Sequence, residues 1–318
     1  MAAKKKALLV QEIHPAGIAK LAPEVEIVMA KSAEPDKLIN EVADADAIIL
    51  RLTPLPAAVI NAAPKLKVIG RPGVGYDNVD LAAATARGIP VVYAPGSNDI
   101  SVAEHTVGLL VALAKQFVKA NTAVKVDNNF QFRHQVRTVE LRGKTVGIVG
   151  FGNIGRTVAH ICREGFGMKI VTYDKFITDE FAAQHGAKRL GELDELLAAA
   201  DFVSLHIPST KENYHMIGGD QLRKMKPTAY LINTARGTVV DEAALAEAVA
   251  GKSIAGAATD VFEKEPPAAD NPLLVREGII VTPHMAAHSE ESMARMATMM
   301  AEGVLDVLAG RTPRYIAR

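Results

Sequence analysis

The sequence predicts an α/β protein built on two doubly wound parallel sheets. Three observations carry that prediction: short apolar runs that recur along the whole chain, helical stretches between them, and one break in the alternation near residue 100. The first series of runs is Ala7–Val10, Val25–Met29, Ala47–Leu50, Leu66–Ile69 and Val91–Tyr93. The second is Val146–Val149, Lys169–Tyr173, Phe202–His206, Ala229–Asn233, Ile254–Thr259 and Ile279–Thr282. They are rich in β-branched residues and mostly lack polar alternation, which is how strands buried on both faces read. Among the intervening helices, Asp80–Arg87 stops at Gly88, Leu193–Ala200 ends before Asp201, and Glu242–Ala250 stops at Gly251. A glycine just past a helix tolerates the left-handed conformation that closes it. Strand and helix in alternation imply a parallel sheet covered on both faces.

At the break, Ser101-Val-Ala-Glu104 has capping-box spacing, with Ser101 placed to cap a helix start and Glu104 to reach back to it. The apolar run Val107–Ala114 follows, and then a polar, strandless stretch from Lys115 to Gly143, read as the connection between two lobes. The last helix, from about Ser289 to Leu308, carries Met293, Met296, Met300, Val304 and Val307 at helical spacing and ends at Gly310. That stripe reads as core filling, with the chain returning to the first lobe.

Composition narrows the function. The chain has 318 residues, 49% of them apolar, with 36 Lys and Arg against 36 Asp and Glu. The length suggests two domains. Zero net charge argues against a nucleic-acid binder, which needs surplus cations to displace counterions. Cys162 is the single cysteine, so no intrachain disulfide and no cysteine-based zinc site is expected, and no metal is assigned. Met1-Ala-Ala-Lys4-Lys5-Lys6 imitates the basic end of a signal peptide, but the apolar run Ala7–Val10 is too short for a secretory core. No stretch approaches the roughly 20 apolar residues of a membrane span. A soluble, cytoplasmic protein without a membrane partner is expected.

After the run Val146–Val149 comes Gly150-Phe-Gly152-Asn-Ile-Gly155, which opens an amphipathic stretch extending to Gly165. The first glycine permits a tight turn, the second lets backbone approach a pyrophosphate, and the third lets the helix pack close to the strand. Strand Lys169–Tyr173 then ends at Asp174, about 20 residues past the glycines, where an acid would accept from the adenosine ribose hydroxyls. The alternative is glycines serving packing alone, with Asp174 as a helix cap. Arg71-Pro-Gly73-Val-Gly75-Tyr76 lacks the third glycine and the following acid and is not read as a second dinucleotide site.

Ligands of open parallel sheets sit beyond the carboxyl ends of the strands. Strand Tyr230–Asn233 runs into Thr234-Ala235-Arg236-Gly237, strand Ile254–Thr259 leads through Asp260 to Glu265, and strand Ile279–Thr282 ends at Pro283-His284. Hydride transfer to a 2-keto acid wants these types. Arg supplies a permanently charged fork for a carboxylate, His a proton donor near neutrality, and an acid orients that His and keeps it basic. Each has a plainer reading: Arg236 paired with a loop carboxylate, Glu265 solvated. His14, His134, His160, His185 and His215 have nothing chemical near them in sequence, whereas His206 also ends a strand and competes with His284.

These residues, taken with three further stretches, resemble the D-isomer-specific 2-hydroxyacid dehydrogenases, in the form of a phosphoglycerate dehydrogenase without a C-terminal regulatory domain. The matching stretches are Gly73-Val-Gly-Tyr-Asp-Asn-Val-Asp80, Ser101-Val-Ala-Glu-His-Thr106, Gly147-Ile-Val-Gly-Phe-Gly-Asn153-Ile154-Gly155, Asn233-Thr-Ala-Arg-Gly237, Asp260-Val-Phe-Glu-Lys-Glu-Pro-Pro267 and Thr282-Pro-His284. The resemblance implies an NAD domain of Rossmann type, residues 100–285, inserted in a discontinuous flavodoxin-like substrate domain of residues 1–99 and 286–318. It also implies a homodimer formed mainly through the NAD domain. It assigns Arg236 to the substrate carboxylate and carbonyl, His284 to proton donation and Glu265 to supporting His284. Beside NAD it places Gly150, Gly152, Asn153, Ile154, Gly155, Asp174, Thr106, Thr234, Ala235, Arg236, Asp260 and His284, with His206 and Pro208 near the adenosine half. The backbone around Val74 and Gly75 would help bind the substrate carboxylate.

Two departures stand out. Met285-Ala-Ala-His288-Ser289 replaces a stretch that carries a Gly and a Ser or Thr in many members, making His288 a second nearby imidazole, read as a bystander. Tryptophan is absent, which disfavours the glyoxylate and hydroxypyruvate reductases that use one at the substrate pocket. Arg51 and Arg71 follow first-lobe strands, where at least one would meet a second anion at C3, phosphate or sulfonate; ordinary loop arginines are the alternative. The expected function is an NAD-dependent oxidoreductase moving a hydride between nicotinamide and C2 of a small D-2-hydroxy or 2-keto acid. The alternatives are a glyoxylate/hydroxypyruvate reductase and an NAD-sensing binding protein like the corepressor relatives. Glu265 argues against formate oxidation, whose enzymes carry Gln beside the His, whereas the triad leaves phosphite oxidation open.

Overall fold

The computed structural model describes residues 4–317, so the first three residues of the basic start, and Arg318, lie outside the described residues. Two compact units divide the chain. One holds the residues up to Asn98 and those from His288 onward, and the other runs from Asp99 to Ala287.

The first unit contains strands β1 (Lys5–Leu9), β2 (Val25–Met29), β3 (Ala47–Ile49), β4 (Val68–Gly70) and β5 (Val91–Val92). All pair in parallel in the order β2-β1-β3-β4-β5, the flavodoxin-like arrangement, with the order reversing between β1 and β3. The absence of polar alternation has a direct cause. Leu8, Ile48 and Ile69 face one apolar cluster, and Leu9, Ile49 and Val68 face the other, so both strand faces are interior. The helix Glu290–Leu308 belongs to this unit, capped by the Ser289 hydroxyl, which accepts from Ser292 N–H. Its Met300 and Val304 lie so close to Gly70 that a Cβ there would come within 2.7–2.8 Å of them. Met300, Val304 and Val307 of the stripe fill the core against the first sheet.

The second unit contains β6 (Thr145–Val149), β7 (Lys169–Tyr173), β8 (Lys188–Arg189), β9 (Phe202–Leu205), β10 (Tyr230–Asn233), β11 (Gly256–Thr259) and β12 (Ile279–Val281). They form one parallel sheet in the order β12-β11-β10-β9-β6-β7-β8, the doubly wound dinucleotide-binding arrangement extended by one strand. Again the two faces bury alternate residues: Val146, Ile148 and Phe202 on one side, Val149, Val203 and Leu205 on the other.

Several expectations need correction. The helix near residue 100 begins at Asp99 and runs to Lys115, so Ser101 is no cap; its buried hydroxyl donates to the Ala286 carbonyl at 2.8 Å. The stretch 115–143 does not connect the units but lies inside the second one, and it holds the helix Phe117–Lys125 and a 3₁₀ turn, Phe130–His134. Its polarity reflects exposure rather than lack of structure. The edge strand β8, two polar residues long, offers no apolar run to read. After the helix Glu242–Ala250, Gly251 stays right-handed (φ −77°), and the left-handed position is the next residue, Lys252, at φ 57°. Among the described residues no single helix is long and apolar enough to cross a membrane. Asp99–Lys115 and Phe117–Lys125 qualify only as a pair bent by 62°. The first of these packs Val107, Leu110 and Leu113 into the core against the sheet.

Candidate functional site

At the end of β6 the chain turns through Gly150, whose φ of 89° L side chains rarely adopt and where a Cβ would come within 2.5 Å of the His206 carbonyl oxygen. At Gly155 a Cβ would overlap the Gly150 carbonyl, so only glycine lets the helix Asn153–Phe166 start this close to the strand. Gly152 differs: a Cβ there meets nothing within 4 Å, so the space beside it is open. No side chain caps this helix start. The first N–H groups, from Asn153, Ile154 and Gly155, have no acceptor within the helix and make a seat for an anion. Asp174, one strand over, accepts from Phe151 N–H at 2.7 Å through Oδ2 and from Phe176 N–H at 2.8 Å through Oδ1. A carboxylate offers about four lone-pair positions, so it retains capacity for hydroxyl donors. An uncapped helix end, an open glycine and an acid tied to the glycine loop fit a dinucleotide.

His206 follows β9 with Nε2 2.9 Å from the Ser204 hydroxyl. Burial pushes its imidazole down to about 3, so it is neutral near pH 7 and unsuited to donate a proton to substrate. Pro208 is exposed, and its carbonyl accepts from Asn213 Nδ2 at 3.0 Å. Thr106 is fully buried and donates to the Val102 carbonyl at 2.7 Å. A hydroxyl has one proton, so the 2.7 Å contact between Thr106 and Thr234 has Thr234 as donor.

The turn that presents Arg236 is closed by Asn233, which the sequence reading passed over. Its Nδ2 donates to the Arg236 carbonyl at 2.9 Å and its Oδ1 accepts from Ala235 N–H at 3.0 Å. The signal was available, since an Asn side chain that bonds backbone two residues on is a common turn device. Arg236 donates through Nη1 to the Ala235 carbonyl at 2.8 Å.

Glu265 and His284 meet: Oε2 lies 2.6 Å from Nδ1. A carboxylate only accepts, so Nδ1 carries the proton and Nε2 is the reactive nitrogen. Glu265 Oε1 accepts from Phe262 N–H at 3.1 Å. Burial alone would raise the Glu265 carboxyl. The His284 hydrogen bond and charge, the Phe262 N–H and the Arg236 guanidinium outweigh it and hold the group below the ordinary carboxylate range.

His284 stands in left-handed backbone, at φ 51°. Asp260, 1% exposed, holds that conformation: its carbonyl accepts from His284 N–H at 2.7 Å. Its Oδ1 accepts from Met285 N–H at 2.9 Å and from the Thr282 hydroxyl at 2.5 Å, and Oδ2 accepts from Ala286 N–H at 2.8 Å. The buried acid is thus committed to shaping the strand-end turn, a role its position in the sequence did not reveal. Among the described residues no three His, Cys, Asp or Glu side chains are grouped to hold a metal ion.

In the first unit, Arg51 follows β3. Gln11 Oε1 accepts from the N–H groups of Arg51, Leu52 and Thr53 at 2.9–3.1 Å and so pins that loop. Arg51 Nη2 lies 3.0 Å from His288 Nε2. A guanidinium only donates, so that ring nitrogen is an acceptor. The Arg71 guanidinium folds back over Gly73 and donates to the Pro72 carbonyl at 3.2 Å. Half-buried Val74 and Gly75 lead into Tyr76, which packs edge-on to Tyr93 with centroids 5.2 Å apart.

Comparison with known proteins gives the family. Residues 107–286 match the family described as D-isomer specific 2-hydroxyacid dehydrogenase, NAD binding domain. The chain is 42% identical over 316 residues to the glyoxylate reductase of Korarchaeum cryptofilum, covering 98% of this chain and 95% of that protein. The chain belongs to the D-isomer specific 2-hydroxyacid dehydrogenase family. NAD is the cofactor of its second unit. The D-3-phosphoglycerate dehydrogenase of Archaeoglobus fulgidus is 44% identical over 288 residues, 90% of this chain but only 54% of that protein. This chain therefore spans about half the length of such relatives. Among solved structures, the NAD-dependent formate dehydrogenase of Staphylococcus aureus in complex with NAD superposes with a TM-score of 0.87 at 29% identity, covering 99% of each chain.

Proposed function

We propose that this family member is an NAD-dependent oxidoreductase acting at C2 of a small D-2-hydroxy or 2-keto acid. The observation that carries the reading is the 2.6 Å pairing of Glu265 with His284 Nδ1, which leaves Nε2 to work as acid or base, with the Arg236 charge near enough to help hold Glu265 ionised. NAD supplies or accepts the hydride. Arg236 binds the substrate carboxylate and polarises the carbonyl. His284 delivers a proton from Nε2 to the carbonyl oxygen in reduction and removes it from the hydroxyl in oxidation. Glu265 keeps the ring oriented and stabilises its charged form. The uncapped N–H groups at Asn153, Ile154 and Gly155 hold the pyrophosphate, and Asp174 the adenosine ribose. Thr106, Thr234, Ala235 and Asp260 shape the site on the reacting side, with His206 and Pro208 on the adenosine side.

Arg51, Val74 and Gly75 of the first unit are assigned to substrate. Arg51 is the candidate for a second anion at C3, because Arg71 is folded onto its own loop. A phosphoglycerate- or sulfolactate-like substrate follows from that assignment. The Korarchaeum glyoxylate reductase, matched over nearly its full length, makes glyoxylate the competing substrate. We assign the chain to a cytoplasmic homodimer. The dimer is supported by the large apolar side chains left exposed along residues 117–130: Phe117, Val118, Val124, Val126 and Phe130. Sedimentation at micromolar concentration should show twice the chain mass.

The deciding experiment compares NADH oxidation with pyruvate, glyoxylate, hydroxypyruvate, phosphohydroxypyruvate and sulfopyruvate. The reading predicts turnover of at least one, with kcat/KM highest for an acid charged at C3. Tight NADH binding without turnover of any of them would favour the NAD-sensing alternative.

A further inference from the structure

The loop after Asp260 carries two glutamates, and each holds a histidine. Glu265 Oε2 is 2.6 Å from His284 Nδ1, and Glu263 Oε1 is 2.5 Å from His215 Nε2. Both histidines occupy left-handed backbone, His284 at φ 51° and His215 at φ 49°, a conformation uncommon for residues other than glycine. Backbone held there points to a position fixed from outside.

His215 is fixed on every side. Its N–H donates to the Thr238 carbonyl at 2.9 Å, Tyr214 stacks on its ring at 4.0 Å between centroids, and Nδ1 lies 3.9 Å from Asp241 Oδ2. Asp241 and Thr238 belong to the segment that follows Arg236. Ile217 N–H donates to the Val239 carbonyl at 3.0 Å, and Asp241 N–H to the Ile217 carbonyl at 3.0 Å, so the two segments run zipped together. Across from them, Gly237 rests on the Phe262–Glu263 peptide with no room for a Cβ. Glu263 N–H donates to Glu242 Oε1 at 2.8 Å. His215 thus ties the segment behind Arg236 to the loop that carries Glu265.

We infer that His215, through Glu263, is a positioning residue that sets the Glu265 carboxylate against His284 and fixes it relative to Arg236. This rests on the function proposed above. The Phe262–Glu265 segment is clamped between two histidines, one facing the proposed chemistry and one behind it. With the rear pair absent, the Glu263 side chain loses its anchor on His215, and the Glu265–His284 contact loosens. A misplacement of about 1 Å in a catalytic constellation costs on the order of 10²-fold in rate.

The test uses the full chain with His215→Gly, which suits φ 49° and removes the whole side chain, and Glu263→Gln, which keeps shape but loses charge. The readouts are kcat, KM for NADH, the alkaline limb of keto-acid reduction, and titration of the His284 ring by NMR without substrate. Both variants should lose about tenfold or more in kcat with KM for NADH changed less than about twofold. The alkaline limb and the His284 titration should both move to lower pH, in the same direction as Glu265→Gln and by less. Adding either change to Glu265→Gln should move the limb no further. An unmoved His284 titration in both variants overturns the inference, even if kcat or melting temperature falls. The NMR titration keeps the two claims apart: if the wild-type protein turns over no keto acid, the proposed function fails, and a shifted His284 titration still supports the clamp.

Discussion

Replacing Glu265 by Gln removes a charge while keeping the shape and the acceptor that faces His284 Nδ1. The two side chains are 32% and 31% exposed, so the solvent-screened limit is the fitting one. At the observed 2.6 Å contact and a bulk-water dielectric, the attraction of unit charges is about 1.6 kcal/mol. That corresponds to a shift of about one pH unit. The sign follows from the pairing. Ionised Glu265 favours the protonated ring, so without it the ring loses its proton at lower pH. Keto-acid reduction needs the protonated ring, and its alkaline limb should move down by about one unit. Alcohol oxidation needs the neutral ring and should begin about one unit lower. The assay is kcat/KM against pH in both directions, with a solvent isotope effect to establish that proton transfer limits the rate. A limb that stays in place, with that isotope effect present, would refute the pairing. His284→Ala should abolish the limb altogether and slow catalysis by roughly 10²–10⁴.

Asp174 should accept from a ribose 2′-hydroxyl and repel a 2′-phosphate, so NAD should exceed NADP by well over tenfold in kcat/KM, with two nearby cations that soften the preference, Lys175 and Arg189, whose Nε donates to the Asp174 carbonyl at 3.2 Å. Equal use of the two would remove Asp174 from that role. Arg51→Ala should cost substrates charged at C3 roughly 10–100-fold more than pyruvate, the value of a charge-assisted hydrogen bond, and a uniform loss would reject the second-anion assignment. Gly237→Ala forces a Cβ into the Phe262–Glu263 peptide, so urea unfolding should show a loss of about 3 kcal/mol or more, with kcat falling as well. His206, neutral in the fold and pushed down to about 3, makes the folded state refuse a proton that the unfolded chain takes up below about pH 6.5. Stability therefore falls with pH through that window. His206→Gln should reduce the loss between pH 7 and pH 5 by about 2 kcal/mol, as read from paired urea titrations.

The sheets were legible because parallel strands buried on both faces leave a signature in composition alone, as at Ala47–Ile49 and Tyr230–Asn233. Where the signature weakens, so did the reading. Lys188–Arg189 is an edge strand made of two cations, and nothing in it is apolar. Ser101 looked like a cap because Glu104 stands three residues on, but the side chain finds a better acceptor 185 residues away at Ala286. The site shows the same division. The glycine loop, Arg236, Glu265 and His284 each sit just past a strand, a place that local sequence marks. The contacts that hold them do not: Glu263 is 48 residues from His215, and Asp260 reaches across a strand pair to Met285 and Ala286. Nothing near His215 in sequence announces its partners. His206 and His284 could not be ranked by position, and burial separates them, since one ring is locked neutral on Ser204 and the other is paired with a carboxylate.

On the proposed function, hydride passes between nicotinamide and C2 of a keto acid on this chain. That transfer is tested most directly by supplying NADH deuterated at the transferring C4 position together with the best keto acid of the panel, and locating the label by NMR. One deuterium should appear at C2 of a D-configured hydroxy acid, in proportion to the NADH consumed, and none should be formed by His284→Ala on the same timescale. Deuterium retained on the dinucleotide while the protein binds it tightly would contradict hydride transfer to C2.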